Sequence, residues 1–173
     1  MIRALLSLLF VLLSAIVQAQ SGALGVGAAW PGLALADQHE RKVELNAPPM
    51  RYLLFAAERK PGDWAQKAID RGHKALFTSG QAALVLDISR MPSLVTRMFA
   101  LPSFRERTFP ILLAREAEPV AFLPRQTGAV TLLTINAGKI AAIDYASDDA
   151  ALGLLLRTLP NSPPPPSLPR ENP

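Results

Sequence analysis

The chain of 173 residues contains no cysteine. That absence excludes disulfides, thiolate metal sites, thiol catalysis, redox dithiols and lipidation of an N-terminal cysteine, whatever the compartment. Charge is sparse as well: 18% of residues are charged and 50% are hydrophobic, which excludes a charge-rich disordered chain over most of the length. There are two histidines, His39 and His73, far apart and without a carboxylate pair at ligand spacing, so no metal site is assigned. Thr78-Ser79-Gly80 lacks the Gly-x-Ser-x-Gly elbow of a serine hydrolase, and Ser79 reads as a loop serine. The length suits a single domain with a sizeable core.

What is present begins with an address. Arg3 is followed by an uncharged apolar run from Ala4 to Val17, shorter than the roughly 20 residues a membrane-spanning helix needs. With small residues at Val17 and Ala19, residues 1–19 read as a signal peptide cleaved after Ala19, and the chain is expected to be exported, to the periplasm. An uncleaved anchor is the rival reading. Loss of Arg3 with the leader lowers the formal charge from +4 to +3, too little for an electrostatic case.

An isoelectric point near 9.9 invites a nucleic-acid reading, but no lysine-rich block or aromatic-basic ladder supports one. The basic residues gather at Arg90, Arg97, Arg105, Arg107, Arg115 and Arg125, diluted by Glu106, Glu116 and Glu118. They read either as solvated faces or as a patch for an anionic ligand or a membrane surface.

Residues 20–29 are small and glycine-rich and read as a flexible lead-in to a domain over residues 30–159. Alternation in Trp30–Asp37 and Lys42–Leu45 around Gln38, His39 and Glu40 predicts a hairpin. Tyr52–Ala57, Ala82–Ile88 and Ile111–Ala114 are short apolar runs bounded by breakers, the pattern of strands buried on both faces. Between them, Pro61-Gly62-Asp63 marks a helix start, with Trp64, Ala68 and Ile69 on one face and Gly72 at its end. Pro92 opens a second helix, with Leu94, Val95, Met98 and Phe99 at helical spacing and Pro102 as its breaker. This βαβ alternation predicts parallel strands. A loop or short helix fills Glu116 to Gly128. Val130–Ile135 and Lys139–Tyr145 form a second hairpin through Gly138, and Ser147 or Asp148 caps a last helix striped by Ala151, Leu152, Leu155, Leu156 and Leu159. Residues 160–173, with the run Pro163–Pro166, read as a disordered proline-rich tail, either a spacer or a strip that docks in an aromatic groove.

The order βαβαβ, hairpin, helix resembles a thioredoxin-like fold, and the wording is similar to its peroxiredoxin and redoxin branch. The segments that carry the resemblance are Pro31–His39, the strand ending at Phe55, Phe109–Leu113 and Leu133–Ile140. It implies an α/β three-layer sandwich around a central mixed sheet. In that family the reactive cysteine sits at or near the helix start after the Phe55 strand, where amides and dipole stabilise a thiolate. Here the segment is Glu58-Arg59-Lys60-Pro61-Gly62-Asp63-Trp64, and no thiol activity carries over. The family also places a proline, often cis, before a strand facing the site, and Pro110 and Pro124 are the candidates.

No catalytic residue, metal ligand or cofactor is assigned, and ligand-binding residues are left open. The expected function is a redox-inactive binding or accessory module, with an envelope protein as partner, no nucleic acid, and no membrane span once the leader is removed. The alternative is a non-thiol enzyme with a pocket near Asp63 and Trp64. Convergence of Asp63, His73, Asp87 or Arg125 in one cleft would favour catalysis, and a flat apolar patch would favour a partner. Asp87 and Asp144 interrupt apolar strands and read as strand-end aspartates unless they meet in a pocket.

Overall fold

Leu53, Leu54 and Phe55 have no polar side-chain atom to satisfy and no measurable exposure beyond 1%, so the strand that holds them must be covered on both sides. It is an interior strand of the sheet. The computed structural model describes residues 22–46 and 48–159, and the expected leader and proline-rich tail lie outside the described residues. Seven strands, β1 (Leu33–Asp37), β2 (Lys42–Leu45), β3 (Tyr52–Ala56), β4 (Ala82–Asp87), β5 (Ile111–Ala114), β6 (Val130–Asn136) and β7 (Lys139–Ala146), lie in the order β2-β1-β5-β4-β3-β6-β7. As the βαβ pattern predicts, β3, β4 and β5 are parallel, and the pairs β1–β2, β1–β5, β3–β6 and β6–β7 are antiparallel.

The two-residue period of a strand divides the core in two. Leu54, Leu84, Leu113 and Leu132 face one side, and Leu53, Phe55, Val85 and Leu133 face the other. On the first side lie α1 (Arg59–Asp70), α2 (Lys74–Thr78), α3 (Ser93–Arg105) and α4 (Asp149–Arg157). The opposite layer of the sandwich holds no α-helix. It is made of residues 22–30 and the loop 115–129, which contains a single 3₁₀ turn, Glu118–Val120.

The stretch 22–29, expected as a flexible lead-in, is tied down along the β6–β7 hairpin. The amides of Leu24, Gly27 and Trp30 donate to the carbonyls of Phe122, Ile140 and Gly138 at 2.8 Å, and Ile140 donates back to Ala28 at 2.9 Å. Trp30 then packs edge-on against Phe122 and donates its indole N–H to the Leu45 carbonyl at 2.8 Å. Edge-strand amides need partners, and this segment supplies them.

Turn chemistry follows the sequence. In the β6–β7 hairpin Ala137 and Gly138 both take positive φ, 48° and 74°, the backbone of a tight two-residue turn matched to strand twist. Asp148 caps α4 by accepting the Ala151 amide at 2.7 Å, and Leu152, Leu156 and Leu159 are buried as the stripe predicts.

Three features differ from expectation. Helix α1 begins two residues before Pro61, at Arg59, because Pro61 fits the first turn, where its missing N–H has no carbonyl to meet. After Gly72 the chain makes another short helix, α2, whose Leu76 and Phe77 fill the core. Helix α3 is composite: α-helical Ser93–Val95, π-helical Thr96–Ala100 and α-helical Leu101–Arg105. The Leu101 amide bonds the Thr96 carbonyl five residues back. This wide turn keeps Thr96 and Leu101 both facing the core, where an unbroken α-helix would set them about 140° apart. Pro102 sits just after it without ending the helix.

Candidate functional site

The C-terminal ends of parallel strands are where open α/β sheets present groups to a ligand. Here those ends are Ala56 of β3 and Asp87 of β4, and the start of α1 lies over them. A cleft of about 40 Å³ is lined there by Glu58, Arg59, Gly62, Asp63, Asp87 and Phe104, among others. Gly62 is in close contact: a Cβ added to it would meet Leu86 Cδ2 at 3.3 Å.

Asp63, His73, Asp87 and Arg125 are the groups whose convergence in one cleft would favour catalysis. The structure brings three of them together. Asp63 and Asp87 line the cleft, and Arg125 reaches Asp87 Oδ2 with Nη1 at 3.3 Å. His73 stands apart, beyond the far end of α1, with Nδ1 buried and unpartnered; burial alone lowers its pKa from the ordinary 6.5. Asp144 lies on β7, three strands from Asp87, so the two aspartates do not meet. Lys60 and Trp64, expected at the pocket, sit outside the cleft lining, with the Lys60 ammonium 5.4 Å from the Trp64 ring centre.

Most polar groups at the strand ends are already committed. Asp87 Oδ1 accepts from the Ser89 amide at 3.0 Å and the Ser89 hydroxyl at 2.6 Å, the strand-end turn expected of such an aspartate. Arg125 donates to the Val120 carbonyl at 2.8 Å and lies over the Phe55 ring at 5.1 Å. Glu58 accepts the Gly128 amide at 2.8 Å, which pins the loop facing α1. Neither Pro110 nor Pro124 follows a cis bond; the cis bond among the described residues is Pro48–Pro49, away from this site. What remains accessible is the pair Arg59 and Asp63.

These two also border a larger recess between α1 and α3, of about 460 Å³, completed by Met91, Val95, Phe99 and Phe104. That volume is in the range of small-molecule and peptide side-chain sites. The sequence does not reveal it: Leu94, Val95, Met98 and Phe99 have the spacing of a core-facing stripe, but their exposures are 67, 40, 59 and 67%. The available signal was Pro102, close enough to this stripe to disturb its phase. Among the described residues no group of three histidine, aspartate or glutamate side chains is placed to hold a metal ion.

Comparison with family models and with curated proteins gives no match. Solved structures are similar in fold. A chain from Chlorobium tepidum assigned as thiol:disulfide interchange protein DsbE superposes with a TM-score of 0.56 at 17% identity, over 78% of this chain and 95% of that one. The peroxidoxin BcpB of Mycobacterium tuberculosis gives 0.51 at 18% identity, over 78% and 96%. The thioredoxin domain of a thiol-disulfide oxidoreductase from Bacteroides vulgatus gives 0.50 at 15%, over 79% and 98%. At these identities the likeness shows the fold: a mixed sheet with helices in the thioredoxin-like arrangement, carried by a chain that has no thiol.

Proposed function

We propose that this thioredoxin-like chain is exported and acts as a redox-inactive binding module, holding an apolar segment of an envelope protein in the recess between α1 and α3. The observation that carries the reading is the contrast between the two hollows at the start of α1. The cleft at the strand ends has room for a few waters, and two of its carboxylates are already engaged, Asp87 by Ser89 and Arg125 and Glu58 by the Gly128 amide. The recess beside it is open, apolar, and bordered by Arg59 and Asp63, which can orient a bound segment. Apolar walls with few polar groups are the composition of a recognition site.

Photo-crosslinking tests this in the cell envelope. A benzoylphenylalanine at Ser103, which lines the recess, is expected to trap one protein that the same group at exposed Leu154 on α4 does not. Identical products from both positions, or none, would remove the reading.

A non-thiol enzyme working at Asp63 is the second reading, favoured by the cleft wall that Asp63 shares with Asp87. It requires small-molecule turnover that Asp63→Asn abolishes.

A further inference from the structure

The outer surface of α3 is unlike any other helix surface of the domain. Leu94, Met98 and Phe99 are each 59% exposed or more and adjoin one another at helical spacing, forming a crest and not the wall of a hollow alone. From Arg90 to Arg105 the chain carries Arg90, Arg97 and Arg105 and not one carboxylate.

The arginines divide by whether the fold uses them. Arg107, Arg115 and Arg125 pair with Asp70, Glu40 and Asp87, and Arg105 donates to the Gln38 carbonyl at 3.0 Å. Arg90 and Arg97 are exposed and without a partner among the described residues. Asp87, three residues before Arg90, is engaged by Ser89 and Arg125.

We propose that this face seats the protein on an anionic lipid surface, with Leu94, Met98 and Phe99 entering the headgroup layer and Arg90 and Arg97 meeting lipid phosphates. An apolar crest flanked by cations is the composition of an interfacial helix. Long arginine stems lie along apolar surface while their heads stay in water. The rival occupants fit less well. A second copy docked by a two-fold axis on α3 brings the arginines of one copy toward those of the other, with no carboxylate on the helix to neutralise them. A folded partner needs a hollow that matches the crest, whereas a lipid surface yields to any shape. This docking goes beyond the binding-module reading and stands without it. No helix among the described residues is long and apolar enough to cross a membrane, so the contact is peripheral.

The test uses residues 20–173, which contain both cores, with phosphatidylcholine vesicles that lack or include phosphatidylglycerol. Sedimentation with the anionic vesicles is expected at low salt and is weakened at high salt. Arg90→Gln and Arg97→Gln each lower the partition coefficient about fivefold. Met98→Ser with Phe99→Ser abolishes binding, with the thermal melt unchanged. As an independent readout, Phe99→Trp is expected to shift to the blue and to be quenched by brominated acyl chains more than Trp64 is. No binding to anionic vesicles overturns the proposal. So does binding that Met98→Ser and Phe99→Ser leave intact, or self-association that those changes remove without any vesicle binding. A crosslink from Ser103 survives any of these results, so the two readings fail separately.

Discussion

Helices α1 and α3 each follow a parallel strand and pack on the same face of the same sheet, but they use their apolar residues differently. In α1 the residues Ala65, Ala68 and Ile69 are buried in the core, the helix packing on β3, β6 and α4, and Trp64 packs half-buried beside them. In α3 the inward positions are Thr96, Leu101 and Phe104, and the larger apolar stripe points to water. The difference teaches that periodicity identifies an apolar face without saying what covers it. In α1 the cover is this chain's own sheet. In α3 the wide turn at Thr96–Ala100 changes the helix phase, so a stripe of core composition is left for something outside the domain.

Deletions would break this comparison most sharply. Removing Lys67 from α1 rotates Ala68 and Ile69 by about 100° relative to the preceding turns and is expected to unfold the domain. Removing Phe99 from the wide turn converts its five-residue spacing to the four of an α-helix and keeps Thr96 and Leu101 on one face, so the domain is expected to stay folded. Urea denaturation followed by circular dichroism separates the two. Truncations come next: Ile69→Ala is expected to cost about 2–5 kcal/mol, against about 0.5 kcal/mol or less for Phe99→Ala, in the same assay. Equal costs would mean that Phe99 is a core residue.

A third change sharpens the contrast between fold and chemistry at the start of α1. Residues three apart in a helix have Cα atoms about 5 Å apart, within disulfide range. The double change Arg59→Cys and Gly62→Cys is therefore expected to form a disulfide, read as a 2 Da mass loss on oxidation, with a stability change of about 1 kcal/mol. Leu86 must yield slightly to the new side chain at Gly62. Failure to oxidise would mean that the local backbone, and not merely the residue types, excludes redox chemistry.

The smallest expected effect is a slope with pH. Burial lowers the pKa of His73 in the folded state, so the unfolded chain binds the proton first as pH falls through 6.5. Its share of stability is complete above that value and is lost as pH drops toward the folded-state pKa. His73→Gln is expected to flatten melting temperature against pH in this window, whereas Phe99→Ala leaves the slope alone. Asp37 acts lower on the scale. Burial pushes its carboxyl up, but the Arg41 and His39 amides and the Arg41 guanidinium outweigh that and hold it below the usual 3.8. Its contribution is present above that value and is lost only in stronger acid.

Much of the scaffold was legible because strands buried on both sides must be continuous apolar runs, and β3, β4 and β5 have little else in them. The hairpin through Ala137 and Gly138 and the cap at Asp148 were legible because single residue types decide such turns. Of the site, only the missing thiol was legible; the gathering of Asp63, Asp87 and Arg125 is set by the fold. What escaped depended on three-dimensional context: the docking of residues 22–30 on β7, the phase change in α3, and the separation of His73. The first and last are decided by segments distant in the chain, and the phase change by one hydrogen bond of unusual span, with Pro102 as its local mark.

The side chain of Gln38 stands at the turn of the first hairpin and embraces Pro110. Its amide nitrogen donates to the Phe109 carbonyl at 3.0 Å and its oxygen accepts the Ile111 amide at 2.8 Å, so it stands in for a ladder at the point where proline has no N–H. These bonds span more than 70 residues. During synthesis, therefore, the β1–β2 hairpin is made early and has no seat until β5 emerges, and β3 must wait longer still for β6. A nascent chain stopped before residue 114 carries an apolar hairpin edge with nothing to pair with. The β3–β4 pair can form earlier, but the sheet is completed only by strands that arrive late.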